Sequence, residues 1–536
     1  MSIFFIFIGK LFFDFFIKSQ NENEEMIQIY KSFYPLIGIF FFGNVLLIFN
    51  FFTGLNKIPI FLFFLILFLF SLFKNFKILS DYKLYFFNLT ILLISATNIG
   101  ISKDANLYHL QNQAWLRDEK IVFGLSNINP YLGYSSIFEY INSLLWIENN
   151  FIFVHFVTLY IIACIFDIIF KFILSDSNYL NNVGYVFLII GLLDNFGFSG
   201  GRNGFLFLQE TFKYDQIFSS LFLTTLILFL LIYKFSDKET GFNLFFFITV
   251  FTVQTRFTGH IIFLLFLFLI INKKFPLITK KSVVSVFLYL LFVFKNFLYS
   301  SCLWFPVSFT CIKFAPWHQP KQAEFISNLL INTNKLPNSN ATDVIPFEDF
   351  MNEFLNTQID YVLNFLVTLF VIITFFLIIS KKLMINITQI FGSVLLFLVW
   401  IYLAPTYRFG VPFFLSIYFT ISFLYLDKVK VNFSKNIKNL IFIPLYFFVI
   451  VAIIRGDSIL ELRSLSDISL VVEQKEIEFV SVDDFWWISP TNNDGYLCGT
   501  YKYCYVEKFK SKKVLYLNDY FYFDPINKNH YIDEFS

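Results

Sequence analysis

Charge is what this chain has least of. Only 15% of its 536 residues are Asp, Glu, Lys or Arg, against 57% hydrophobic, where a soluble domain carries roughly 25% charged residues. So few charges cannot cover a water-soluble globule of this length, and the apolar side chains must face lipid. Net charge is nearly absent as well. At +2, no global field points to nucleic acid, which is not expected as a partner. Cysteine is scarce, at five, and neither Cys nor His clusters with zinc-ligand spacing, so no metal site is read from them. A cleavable signal is missing: Lys10 and Asp14 interrupt the apolar stretch 1–16, and no small-residue cleavage site follows. Residues 1–34 read as an interfacial segment or an extra span. What the chain has in excess is Phe, 83 residues of it. With Ile, Asn and Lys also abundant and Ala scarce, this is the bias of an AT-rich genome. Phe then fills lipid-facing positions rather than an aromatic cage.

A bilayer crossing needs roughly 20 mostly apolar residues. Such stretches fall at 35–53, 58–73, 84–99, 151–173, 183–197, 216–234, 242–255, 257–272, 282–300, 360–379, 386–403, 409–426 and 438–454. Sidedness follows from the lysines. Lys74, Lys77 and Lys83, Lys234 and Lys238, the group Lys273, Lys274, Lys280 and Lys281, Lys381 and Lys382, and the group Lys428, Lys430, Lys435 and Lys438 all fall on one side. Cytoplasmic loops are enriched in Lys and Arg, so that side faces the cytoplasm. The other face receives the outer loops 100–150 and 301–359, the connection 198–215, and a tail. The predicted fold class is an all-α polytopic membrane protein of about 13 transmembrane helices over 35–454. A small extracytoplasmic C-terminal α/β segment is predicted over 455–536, where Trp486, Trp487 and the strand-like stretch 513–517 lie. Cys302, Cys311, Cys498 and Cys504 fall outside and Cys164 in a span. An outer compartment permits disulfides. Spacing leaves the pairing open: Cys498 and Cys504 are the nearest pair, and four free thiols are the alternative.

The most informative stretch runs from Lys103 to Leu116, directly after the third span. On a helix, Asp104, Tyr108, Gln111 and Trp115 share one face, with Leu107, Leu110 and Ala114 on a neighbouring stripe. This pattern predicts a short helix in the outer interface with Trp115 at headgroup depth. A carboxylate there can accept the proton of an attacking hydroxyl. Asp is also a preferred N-cap, and Asp104 stands where the helix would begin. His109 assists, binds phosphate, or does neither. Further polar residues lie at outer span ends: Arg202, Gln209, Glu210, Lys213 and Asp215 before the span at 216, Arg256 and His260 at one tight turn, and Arg408 at another. Ionisable groups at such depths face a cavity or a partner. Each Arg alone snorkels or pairs with a nearby acid; as a set on one face they suit a phosphate-bearing ligand.

Together these motifs resemble the GT-C superfamily of membrane glycosyltransferases. In that superfamily the first long external loop carries an acid soon after a span exit. The chain is similar to a bacterial subgroup with an Asp before Tyr-His, then Gly-Leu, matched by Asp104, Tyr108-His109 and Gly124-Leu125. Asn129-Pro130-Tyr131, Lys295-Asn296 with Trp304-Phe305-Pro306, Pro405-Thr406-Tyr407-Arg408-Phe409, and loosely Cys498 with Cys504, continue the match in order. The resemblance implies a polyprenyl-phosphate-linked sugar as donor, a cell-envelope glycan or lipid acceptor, and a site on the outer face of the bacterial inner membrane. It implies Asp104 as base on the acceptor hydroxyl, with inversion, and the lipid phosphate near Arg256 or Arg408. Glu210 or Asp215 would orient the acceptor or hold a divalent metal ion. Two other readings compete: a polysaccharide polymerase or ligase with its acceptor site on 301–359, and a transporter of lipid-linked glycans using Asp167, Asp194 and Lys295.

Overall fold

The computed structural model describes residues 1–18, 24–95, 102, 104–134, 136–146, 151–194, 212, 214–235, 238–266, 279–319, 321–337, 339–380, 387–403 and 406–426, and the strands 477–482, 485–490, 513–517 and 520–524. Helices dominate. They are α1 (Ser2–Phe12), α2 (Glu24–Lys31), α3 (Tyr34–Asn50), α4 (Ile58–Asn75), α5 (Lys83–Ser95), α6 (Leu110–Asp118), α7 (Ile137–Ser143), α8 (Ile152–Leu174), α9 (Asn178–Asp194), α10 (Asp215–Lys234) and α11 (Lys238–Thr255). Beyond them come α12 (Ser282–Ser300), α13 (Gln322–Lys335), α14 (Phe347–Thr357), α15 (Ile359–Ser380), α16 (Ile387–Leu403) and α17 (Tyr407–Leu426). Local sequence explains their limits. α10 opens on Asp215 and closes on Lys234, the charge order that the helix dipole favours. Between them it is mostly apolar, with Gln216, Ser219, Ser220, Thr224 and Thr225 interspersed, and it is buried from Asp215 to Ile232, so it has no water-facing side.

The described parts of the apolar stretches up to 426 fall on helices, and among the described residues fewer of these helices are long and apolar enough to cross a bilayer than the about 13 expected from the sequence. Among the described residues, Phe153–Leu174, Asp215–Lys234 and Ser282–Ser300 are long and apolar enough by themselves. Two bent pairs, Ile58–Phe73 with Ile78–Leu93 and Phe347–Thr357 with Val362–Ile378, raise the number to five. The reason is length and straightness, which composition does not report. α3 has 17 residues, about 25 Å of helix against a hydrocarbon core of about 30 Å. The first bent pair turns through 97° and the second through 61°. The stretch 438–454 lies outside the described residues. In the tail, Ile477–Val482 pairs antiparallel with Phe485–Pro490, and Lys513–Leu517 with Tyr520–Asp524. After Leu426 the described residues hold strands and no helix, where a mixed α/β segment is predicted.

The N-terminal segment is part of the core rather than peripheral to it. Phe5, Ile6, Phe7 and Ile8 of α1 are each at most 1% exposed. α1 lies against α3 so closely that a Cβ on Gly9 would sit 1.8 Å from the Tyr34 carbonyl oxygen, and one on Gly38 1.9 Å from that of Phe5. Small residues at such crossings let backbones touch. One helix further on, α3 and α11 exchange two hydrogen bonds between buried amides: Asn44 Nδ2 donates to Gln254 Oε1 at 3.0 Å, and Gln254 Nε2 to Asn44 Oδ1 at 2.9 Å.

Contacts sort the helix ends into two groups. At one end, Lys31 pairs with Asp81 at 3.4 Å, Lys171 lies 5.0 Å over the Tyr82 ring, Lys234 lies 5.5 Å over Tyr179, and Lys281 donates to the Lys18 carbonyl. Asn243 joins this group by donating to the Ile17 carbonyl and accepting from Thr279. At the other end, Asn50 donates to the Glu119 carbonyl, Gly124 N to the Leu298 carbonyl, and Trp317 Nε1 to the Phe297 carbonyl. The lysine-bearing ends therefore meet one another, and the two long loops meet at the opposite end.

Candidate functional site

At that second end the chain after Asp104 does not continue as a regular α-helix. Residues Ala105–His109 form a π-turn, closed by Leu110 N–H on the Ala105 carbonyl, and α6 follows. Such wide turns often mark functional sites. The extra residue rotates everything upstream of Leu110, so the α-spaced face of Asp104, Tyr108, Gln111 and Trp115 does not form. Nor is α6 an exposed surface helix. Leu110 to Leu116 are all buried, and Trp115 packs with Ile121, Val122 and Leu125. The amphipathic spacing reflects two protein-facing sides, one polar and one apolar.

The polar side grips one carboxylate. His109 and Gln113 are four apart, so one face of the helix carries both. Glu139 and Asn142 are three apart on α7, facing them. His109 Nδ1 lies 2.5 Å from Glu139 Oε1, and Gln113 Nε2 donates to Glu139 Oε2 at 2.7 Å. The Tyr214 hydroxyl donates to Glu139 Oε2 at 3.2 Å and accepts from Asn142 Nδ2 at 3.0 Å. Trp146 Nε1 donates to Gln113 Oε1 at 2.7 Å, which fixes the amide's orientation. Glu139 is 1% exposed and His109 4%. Lys295 of α12, itself buried, interacts electrostatically with Glu139. Burial and the Glu139 charge hold the pKa of the Tyr214 hydroxyl well above the usual tyrosine range, so it stays a donor. Phe212 and Tyr214 cover the imidazole, with ring centroids 6.5 and 4.6 Å away.

Asp104 is half-buried and stands at the N-cap position, but its side chain makes no capping hydrogen bond. Tyr108, also half-buried, lies across Tyr131 at 6.0 Å. Asp215 and Arg256 form an ion pair, with Asp215 3% exposed and Arg256 21%. Because Asp215 follows Tyr214 directly, this pair continues the network that starts at His109. His260, four residues after Arg256, has its ring 5.4 Å from that of Trp304. Of the other residues singled out in the sequence, Arg202, Glu210, Lys213, Cys498 and Cys504 lie outside the described residues, as does the side chain of Arg408. Glu139, Gln113, Tyr214, Asn142 and Trp146 carry most of the hydrogen bonds and were not singled out.

Segments far apart in sequence converge here. Tyr131 meets Tyr108, and Asn129 Nδ2 donates to Gln111 Oε1 at 3.2 Å. A Cβ on Gly133 would lie 2.7 Å from the Phe305 ring. The loop that carries Phe305 is closed by a Cys302–Cys311 disulfide and by Ile312 N–H on the Ser301 carbonyl at 2.8 Å. Of the pairings left open by spacing, this one is therefore formed. Among the described residues, no group of three or more His, Cys, Asp or Glu could hold a metal ion.

The chain belongs to a family defined as a domain of unknown function, DUF8201, whose model matches residues 1–415. That match takes in α1 and every described residue of the Glu139 network. No curated protein and no solved structure matches the chain.

Proposed function

We propose that this family member is a GT-C-type membrane glycosyltransferase of the cell membrane. It moves a sugar from a polyprenyl-phosphate-linked donor to a glycan or lipid acceptor on the outer face. The observation that carries this reading is a gathering at one end of the bundle, opposite the lysine-bearing end. There the Asp104 turn, the His109–Glu139 contact and the Asp215–Arg256 pair lie along one network. The Cys302–Cys311 disulfide at the same end suits an oxidising compartment beyond the bilayer.

In this mechanism the acceptor hydroxyl attacks the anomeric carbon. The new C–O bond forms as the bond to the phosphate oxygen breaks, and the electron pair leaves with the polyprenyl phosphate. Asp104 takes the hydroxyl proton. Arg256, held by Asp215, and Arg408 act on the charge that develops on the departing phosphate. Tyr108 and Tyr131 offer aromatic faces beside the acid. The remaining spans expected from the sequence, up to about 13, complete a sheath for the lipid tail.

The test is sugar transfer in proteoliposomes that hold the purified full-length protein and a lipid-linked sugar pool, with no energy source. Wild-type protein is expected to transfer and Asp104→Asn to lose essentially all transfer. Transfer by Asp104→Asn at the wild-type rate removes Asp104 from the mechanism. A polymerase or ligase is the second reading, favoured by the disulfide-closed loop at the same end of the bundle. It predicts mild damage from Asp104→Asn and severe damage from Arg256→Ala.

A further inference from the structure

A carboxylate at 1% exposure that collects donors from three segments is costly unless each donor is fixed, because buried charges must be paired and hydrogen-bonded. Glu139 meets that condition through His109, Gln113 and Tyr214. An ionised carboxylate only accepts hydrogen bonds. The imidazole nitrogen 2.5 Å from it must therefore carry the hydrogen, which makes Nδ1 the N–H of His109. In the neutral ring the lone pair then sits on Nε2. A second group that holds one ring nitrogen in this way sets both tautomer and orientation.

We propose that Glu139 is the positioning residue of a Glu139–His109 pair that completes the acid–base centre. Nε2 of His109 receives the proton that Asp104 has taken from the acceptor hydroxyl. The step balances: Asp104 loses the proton and returns to carboxylate, Nε2 gains it, and the imidazolium charge is held by Glu139. This rests on the glycosyltransferase reading. The π-turn supports it by holding both groups on one short element, with Asp104 at its N-cap and His109 as its last residue. Polar or titratable groups face the pair from every element around it. Gln113 comes from α6, Tyr140 and Asn142 from α7, Tyr214 from the chain before α10, and Lys295 and Tyr299 from α12. Glu139 is the anion among these, and the charge the proton adds at the imidazole is met by Glu139 at hydrogen-bond distance.

Two measurements on the full chain test this, with different dependence on the function. The chain has five histidines, so nitrogen-15 histidine labelling in nanodiscs gives a small spectrum, and His109→Gln assigns the resonance of interest. The Nδ1–H tautomer is expected in wild type, and it should be lost in Glu139→Ala. A predominant Nε2–H tautomer, or one that survives Glu139→Ala, overturns the pairing whatever the protein catalyses. In the transfer assay, Glu139→Gln should lower kcat by roughly a hundredfold with KM unchanged. It should also move the acid limb of the pH–rate profile to lower pH, because the imidazolium loses its anion. Glu139→Asp keeps the charge and should restore the limb's position even if it folds less well. A Glu139→Gln enzyme with an unshifted limb sinks the relay while leaving the transferase reading intact. Wild-type protein that transfers no sugar sinks both, and the tautomer measurement still decides the geometry.

Discussion

Replacing either glycine at the α1–α3 crossing with alanine should break the fold's first helix contact, while the same change at Gly392 should cost nothing. A Cβ on Gly9 would lie 1.8 Å from the Tyr34 carbonyl oxygen, where ordinary contact begins at 3.4 Å, a shortfall of 1.6 Å. Gly38 meets the Phe5 carbonyl oxygen at 1.9 Å, from the other side of the same crossing. In both cases the obstacle is backbone, which cannot swing aside as a side chain can. The helices must move apart, and they carry a core with them: Phe5, Phe7, Leu36, Ile37 and Phe40 are each at most 1% exposed. Overpacking typically costs about 1–3 kcal/mol, and a backbone clash of this depth belongs at the upper end, about 3 kcal/mol. Gly392 of α16 is the control, because nothing lies within 4 Å of its Cβ. There alanine should be neutral or should stabilise by up to about 1 kcal/mol through helix propensity. The assay is the fraction of monodisperse protein left after heating in detergent, read by size exclusion. Gly9→Ala and Gly38→Ala should lose the folded peak well below the wild-type temperature, with Gly392→Ala unchanged. If all three melt together, the close crossing of α1 and α3 is wrong.

Other perturbations follow from the same contacts. Asn44→Ala and Gln254→Ala should each cost about 1 kcal/mol, and the double variant less than the sum of both, because each single change strands a buried amide; strict additivity in denaturation would mean the two do not pair. A membrane-impermeant maleimide should label Cys302 and Cys311 in right-side-out vesicles only after reduction; labelling without reductant, or only in inverted vesicles, would contradict the disulfide or the sidedness. Arg256→Met should cost about 3–5 kcal/mol by removing the cation that faces the buried Asp215 carboxylate, with Asp215→Leu in the same chain recovering most of it; a double variant as unstable as the single would show that the ion pair does not hold this turn.

The helices were legible because their signal is local. Apolar runs of 15 to 20 residues bounded by Lys, Asp and Asn specify helix wherever they end up. Of the loop lysines, Lys234 and Lys281 have described partners, at an end that Lys31 and Lys171 share. The bends were not legible, because a bend depends on what a helix packs against. The turn between Ile58–Phe73 and Ile78–Leu93 has no proline or glycine to announce it. The packing of α1 against α3 was likewise hidden: Gly9 and Gly38 are ordinary glycines in apolar runs until the two helices meet.

The candidate site divides along the same line. Asp104, Tyr108 and His109 stand out because polar residues after an apolar run are conspicuous. Glu139 does not, because its local sequence has a sufficient explanation that is not the operative one. Ser136-Ile137-Phe138-Glu139 reads as a capping box, in which Ser caps the helix and Glu reaches back to the cap's own N–H. The serine does its part, accepting from Phe138 N at 3.3 Å. The glutamate's carboxylate goes instead to His109 and Gln113, more than twenty residues upstream. A carboxylate that could have capped a helix in water is thus held away from water on a histidine. Burial makes that arrangement worse than capping unless the histidine needs the charge beside it. That imbalance is the reason to look for chemistry at His109 rather than for structure alone.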